Sequence, residues 1–429
     1  MKSEIIRGYR LHFGGCDKLG RYSVRSFHSS TALRREGDDV YIVAAARTPI
    51  GKFNGVFKTV SSIELGITAV KAAVAKSGLQ DLSEVSEVYM GQVLQADVGQ
   101  SPARQVTIGA GFPVSTDATT VNKVCASGLK AVMLAAREIK SGEASVMVAG
   151  GMESMSNSPF YLSRNQFYGH SSVRDAIVKD GLWDVYNNIH MGLCAENTAR
   201  RFNISREEQD AYAIESYKRA LSAQKNGLFK YEIAPVEIKG RNGSTIMIDT
   251  DEEPSSVDIS RLPTLRPAFD KTASGSVTAA NASSINDGAA AVVLASESRL
   301  DDERDDLIRP LGRIVAYADV ATDPIDFTTA PSLCIPKALM KARLNISDIA
   351  KVEINEAFAV VSLANQELLG LDPRKVNVKG GAVALGHPIG ASGCRILVTL
   401  LYSLKEGEYG VAAICNGGGA ASAMIVQRL

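Results

Sequence analysis

The sequence predicts an α/β fold with buried strands, built as two related halves around an inserted lobe. Three observations carry that expectation. From Val40 onward, short β-branched runs alternate with alanine-rich helical stretches: VYIVAAA, the 62–77 segment, EVYMGQV, the stretch after Cys125, and SVMVAGG. This is the pattern of strands covered by helices on both faces. A similar series recurs in the last third as GRIVAYADV, PKALMKARL, KVEINEAF, the stretch after His387 and GVAAICNGG. Between the two series the composition shifts toward Asn, Tyr and charge. The expected organisation is a leader over 1–38, one half over 39–156 and 284–305, an inserted lobe over 157–283, and a second half over 306–429.

Taken in order, the first 35 residues hold eight Lys or Arg against Glu4 and Asp17, with serines and Phe27 interspersed. They read as a mitochondrial transit peptide outside the fold. After a strand ending TTVNKV, Leu129, Val132, Met133, Ala136 and Ile139 recur at helical spacing and stop at Gly142, which puts Cys125 at a helix N-terminus. His387 holds a comparable place before a helix through Cys394, Ile396 and Leu397. In the lobe, Ser205 and Glu208 form a capping box opening a helix through Tyr217, followed by the polar stretch DEEPSSVD. At 410–426, GVAAICNGGGAASAMIV is apolar but interrupted by Asn416 and consecutive glycines, so it reads as strand–turn–strand and not as a membrane span.

Bulk properties exclude several classes. With 429 residues, 45% apolar and 22% charged, the chain suits a folded enzyme rather than a disordered or fibrous protein. Six cysteines are too sparse for a disulfide framework and match no metal-binding spacing. Cys16, Cys194, Cys334 and Cys394 read as packed small hydrophobes. The formal net charge is zero, which disfavours nucleic acid, and an anionic ligand must be held by local groups and helix N-termini.

The chemistry lies in three glycine-flanked segments: VNKVCASGLKA around Cys125, GGAVALGHPIGASG around His387 and AICNGGGAAS around Cys415. A nucleophilic cysteine needs a base and a stabilised thiolate, and neighbouring glycines let backbone N–H groups reach a developing oxyanion. The set points to thiol-dependent acyl transfer.

These segments, with SVMVAGGMESMS, TAANASSINDGAAAVV and NEAFAV in the same order, resemble the thiolases from about residue 40 to the end. NIHMGLCAEN at 188–197 resembles the biosynthetic mitochondrial type. The resemblance implies the layered αβαβα thiolase fold of two duplicated βαβαβαββ-type halves with an inserted loop domain. It implies reversible condensation of two acetyl-CoA molecules to acetoacetyl-CoA and CoA, with Cys125 as nucleophile, His387 and Cys415 as bases, and Asn355 positioning a water. Backbone N–H groups of Cys125 and Gly417 would form an oxyanion hole. For coenzyme A it implies His190, Met191, Ser283, Phe358, Leu265, Tyr217, Asp258 and Arg261. Ser256 stands where relatives often carry a basic residue. A potassium ion would be held by Tyr217 and the carbonyls of Ala279, Ala280, Ala282 and Val383. A homotetramer in the mitochondrial matrix completes the expectation. The alternatives are a long-chain 3-ketoacyl-CoA thiolase and, from another class, a non-catalytic acyl-CoA-binding scaffold. Glu356 reads as a helix cap.

Overall fold

The computed structural model describes residues 39–165, 167–240, 242–301 and 308–429; the leader lies outside the described residues. A ten-stranded sheet organises the chain. Its long strands are β1 (Val40–Arg47), β2 (Val85–Gly91), β3 (Asp117–Val121), β4 (Val146–Ser154), β5 (Asn286–Ser296), β6 (Gly312–Ala321), β7 (Ile349–Ile354), β8 (Tyr409–Asn416) and β9 (Ala420–Arg428). They run in the order β7-β8-β9-β6-β1-β5-β4-β2-β3.

That order contains the duplication. Within the first half, the strand sequence from the outer edge inward is third, second, fourth, fifth, first. In the second half it is second, fourth, fifth, first, and a parallel bridge from Val352 on β7 to Val376 marks the missing third position. The two halves meet where β1 pairs antiparallel with β6. The helices repeat too: α1 (Ser62–Ser77), α2 (Pro102–Ala110) and α3 (Ser127–Ser141) match α6 (Ala330–Ala342), α7 (Ala359–Leu369) and α8 (Ile389–Leu401). In the lobe stand α4 (Met191–Arg201) and α5 (Arg206–Lys225), the latter opened by the Ser205–Glu208 capping box.

Strand alternation sorts side chains into layers. On β5, Ala290, Val292 and Leu294 face a central core shared with α3 and α8, whereas Ala291, Val293 and Ala295 face an outer core with α1. On β9, Met424 and Val426 join the central core and Ala421, Ala423 and Ile425 face the outer core with α6 and α7. Helices α3 and α8 are therefore sandwiched between sheet layers. Every residue of α8 is buried, as expected of a helix that is apolar nearly all round. Small residues let the sandwich close. A Cβ on Gly151 would lie 2.1 Å from the Gly390 carbonyl oxygen, and one on Gly393 would lie 2.6 Å from the Leu129 nitrogen. No helix among the described residues is long and apolar enough to cross a membrane.

Candidate active site

Cys125 sits on the turn from β3 into α3 and is 8% exposed. The residue before it, Val124, has φ of 47°, an uncommon conformation for a β-branched side chain that must be imposed by its surroundings. Local bonds impose it: Ser127 Oγ accepts from the Lys123 N–H at 2.8 Å and donates to the Val124 carbonyl at 2.5 Å, and Asn122 Oδ1 accepts the Val124 N–H at 2.9 Å. Lys123 and Lys130 then reach across to Asp319 on β6, which also accepts from Ser422 Oγ of β9 at 2.7 Å. Burial pushes the Asp319 carboxyl up, but the hydrogen bonds from Lys123, Lys130 and Ser422 outweigh it and hold it down at about 2. The second half thus holds the nucleophile loop of the first.

The thiol itself is pushed up to about 11 by burial, opposed by the N–H groups of Gly417 and of Cys125 and reinforced by Glu153. Cys415, at the end of β8, is fully buried and is raised further by burial and then by the nearness of Cys125. Gly417 lies between the halves: a Cβ there would stand 3.5 Å from Val124 Cγ1 and from Met191 Cε. Cys125, Gly417, Cys415 and Met191 therefore share one place. The other thiols among the described residues, Cys194, Cys334 and Cys394, are buried and form no disulfide; Cys16 lies outside the described residues.

His387 precedes α8 as Cys125 precedes α3. Its Nδ1 is 2.6 Å from Ser392 Oγ, and because that hydroxyl donates to the Pro388 carbonyl at 2.9 Å, Nδ1 is assigned the proton. Nε2 is left as an acceptor facing Asn355 Nδ2 at 3.4 Å. Burial and then the positive charge of Arg395 push the imidazole down to about 3, so it is neutral at physiological pH. Nucleophile and base are both uncharged in the resting site. Asn355 is buried, and its Oδ1 has no hydrogen-bond partner among the described residues. Glu153, pushed up to about 7 by burial, accepts the N–H groups of Val93, Leu94 and Gly390 and so ties the His387 loop to β4.

Glu356 corrects the expectation of a helix cap. The residue before α7 is Phe358, with no side-chain cap, and Glu356 instead accepts hydrogen bonds from Tyr212, Ser216, Asn377 and the Val383 N–H at 2.7–3.0 Å. Its partners come from α5 and from residues 377–383, neither adjacent to it in the chain, which local sequence cannot reveal.

The remaining predicted residues fall in two groups. His190 caps α4 through Nδ1 and stacks on Phe269 at 4.7 Å, and Phe269 meets Phe358 edge-on at 6.1 Å. Phe269 carries no motif signal in the sequence, since it stands alone among the polar and turn-forming residues of PAFDKTASGS. Ser283 donates to the Ala357 carbonyl at 2.9 Å. Ser256, Asp258 and Arg261 lie instead on an exposed turn: Ser256 bonds the Glu253 carbonyl, Asp258 accepts from Ser260, and Leu265 is half-buried beside them. Tyr217, Ala280 and Val383 belong to one buried cluster. The Tyr217 phenol is pushed up by burial, then by the carboxylates of Glu253 and Glu356, and Glu253 Oε2 has no partner among the described residues. That negative setting fits a cation held by phenol and carbonyl oxygens; Ala279 and Ala282 flank Ala280 in the chain.

Known proteins share this fold and much of this sequence. The family model described as Thiolase, N-terminal domain, matches residues 40–298, and that described as Thiolase, C-terminal domain, matches 308–428. An acetyl-CoA acetyltransferase from Yarrowia lipolytica is 61% identical over 91% of this chain and 96% of its own length. A mitochondrial acetyl-CoA acetyltransferase from Bos taurus is 52% identical over 95% of each. A thiolase from Ascaris suum, crystallised in complex with coenzyme A, superposes with a TM-score of 0.87 at 47% identity, covering 91% of this chain and all of that one.

Proposed function

Since the chain belongs to the thiolase family, we propose that it is an acetyl-CoA C-acetyltransferase that condenses two acetyl-CoA molecules to acetoacetyl-CoA and CoA. The reading is supported by the nearness of the Cys125 and Cys415 thiols and of the Gly417 N–H to the Cys125 sulfur, with the neutral imidazole of His387 carried just before the helix that matches the one after Cys125. His387 Nε2 takes the Cys125 proton as the sulfur attacks the thioester carbonyl, and the N–H groups of Cys125 and Gly417 receive the oxyanion. The tetrahedral intermediate collapses, Cys415 gives its proton to the departing CoA sulfur, and Cys415 becomes a thiolate.

That thiolate is a strong base because its site is dry. It removes a methyl proton from the second acetyl-CoA, a weak carbon acid whose enolate oxygen needs stabilisation. The imidazolium at His387 provides a donor, and the unpartnered Asn355 Oδ1 is suited to hold a water beside it. The carbanion attacks the acetyl group on Cys125, and the released sulfur recovers its proton from His387. Coenzyme A would run past Met191, the His190–Phe269–Phe358 aromatic row and Ser283, toward Leu265, Tyr217, Ser256, Asp258 and Arg261.

Assays with four-carbon and sixteen-carbon 3-ketoacyl-CoA test the substrate class: thiolysis of the longer should be at least ~10-fold slower. Comparable rates would favour the long-chain alternative. We assign potassium to Tyr217 with the carbonyls of Ala279, Ala280, Ala282 and Val383, where it would brace the lobe. Turnover and melting temperature should both be higher in potassium than in sodium buffer, since a ligand that binds only the folded state stabilises it. Equality of the two removes the ion. Phe160, Leu162, Phe167, Tyr168, Val185 and Tyr186 are exposed along one stretch of the lobe, which supports a homotetramer assembled through it. Several relatives are mitochondrial, and the basic leader supports placement in the matrix.

A further inference from the structure

We propose that Glu353 and Arg395 are a positioning pair that fixes the Asn355–His387 contact and supplies the charge environment of the imidazole. The inference rests on the reading of His387 as the base. Glu353 lies on β7 two residues before Asn355, and Arg395 lies on α8, which begins just after His387. The pair therefore links the same two elements that carry the two active-site groups. Arg395 Nη1 stands 3.7 Å from Glu353 Oε2, and both side chains are nearly inaccessible to solvent. None of the Arg395 nitrogens, nor Glu353 Oε2, has a hydrogen-bond partner among the described residues.

A buried guanidinium with unmatched donors is costly, and apolar residues of similar volume would serve the fold at least as well. Such a departure from the packing rule of an otherwise apolar helix marks function. The charged groups packed around His387 are few. Glu153 accepts from Gly390 in the same loop, Asp287 follows the Asn286 that accepts the His387 N–H, and Glu356 adjoins Asn355 but is saturated by four donors. Farther out, Arg47, Glu232 and Lys379 pair with one another. Cys125 and Cys415 are uncharged thiols at rest. Burial raises the Glu353 carboxyl while Arg395 lowers it, and burial likewise works against the Arg395 charge; at 3.7 Å with no hydrogen bond between them, the carboxyl matches the guanidinium only loosely. Arg395 is the charged group that acts on His387, against the imidazolium. The base is thereby kept empty until the thiol proton arrives, and the imidazolium, once formed, is a strong acid that returns the proton readily.

The test compares wild type with E353L/R395M and with R395Q, which keeps reach and loses charge. Ring-nitrogen NMR of 15N-histidine protein follows the titration of His387, and initial rates with acetyl-CoA give kcat and KM against pH. In wild type, Nε2 should remain unprotonated down to about pH 5. In the variants its midpoint should rise by about one pH unit or more, kcat should fall ~10-fold with KM within ~2-fold, and the acid limb of kcat should move up. Folded variants with wild-type titration and wild-type kcat overturn the proposal. If the double variant does not fold, R395Q decides by the same readouts. If neither folds, R395M alone decides by the same readouts. An enzyme without condensing activity would instead defeat the thiolase reading, while the NMR comparison stands apart from it.

Discussion

Cys125→Ala should take up no acetyl group from acetyl-CoA and should lose condensation by roughly 10⁴-fold or more, the scale on which removal of a covalent nucleophile acts. The fold should be unaffected. The side chain is small and buried, and the strained turn before it is held by Asn122 and Ser127 rather than by the sulfur. Mass spectrometry of the protein after exposure to acetyl-CoA checks the first statement. An acetyl adduct persisting on the variant, or one found on Cys415 of the wild type instead, would place the nucleophile elsewhere. The resting state gives a further constraint. Because burial holds the Cys125 thiol near 11 and the imidazole near 3, the pair is neutral across the physiological range, and reactivity must be drawn out by the substrate's own carbonyl. Alkylation of Cys125 by a neutral reagent should accordingly be slow at pH 7 compared with that of a thiolate–imidazolium pair.

Gly151→Ala should be among the most damaging single-methyl changes at the described residues. The added carbon would meet the Gly390 carbonyl oxygen at 2.1 Å and the Gly128 Cα at 3.0 Å, both backbone atoms that no rotamer change can move aside. Over-packing of this kind costs about 3 kcal/mol or more, and a fall in melting temperature of roughly 5–10 °C should register it. Activity should fall further than stability, because Gly390 lies in the loop that delivers His387 and is tied there to Glu153. A variant melting within about 1 °C of wild type would mean that the central helices have slack.

Much of this was readable before any coordinates. The helix from Ser127 to Gly142 announced its ends through spacing and a terminal glycine, and its start placed Cys125 where it is found. The strand–turn–strand around Cys415 and the Ser205 capping box were legible for the same reason: each is a local pattern set by neighbours in the chain. What escaped was long-range. Glu356 looked like a cap because its partners, Tyr212, Ser216, Asn377 and Val383, are distant in sequence. Arg395 sits in an apolar run where an arginine would ordinarily reach out to water, and only the sandwiching of α8 shows that it cannot. Phe269 lay hidden in a polar turn. The exposed turn of Ser256, Asp258 and Arg261 is the converse case, held by local bonds: Ser256 to the Glu253 carbonyl, Ser260 to Asp258, and the Arg261 backbone N–H to the Asp258 carbonyl.

The position of β9 has a consequence for refolding. This strand is inserted between β8 and β6 rather than added at an edge, so the second half of the sheet closes only when β9 pairs with both neighbours. Its register with β6 sets Gly312 opposite Arg428, a pairing of high sequence separation, and such pairings form slowly. Recovery from denaturant should therefore pass through a species with uncovered apolar surface, and its yield should fall as protein concentration rises.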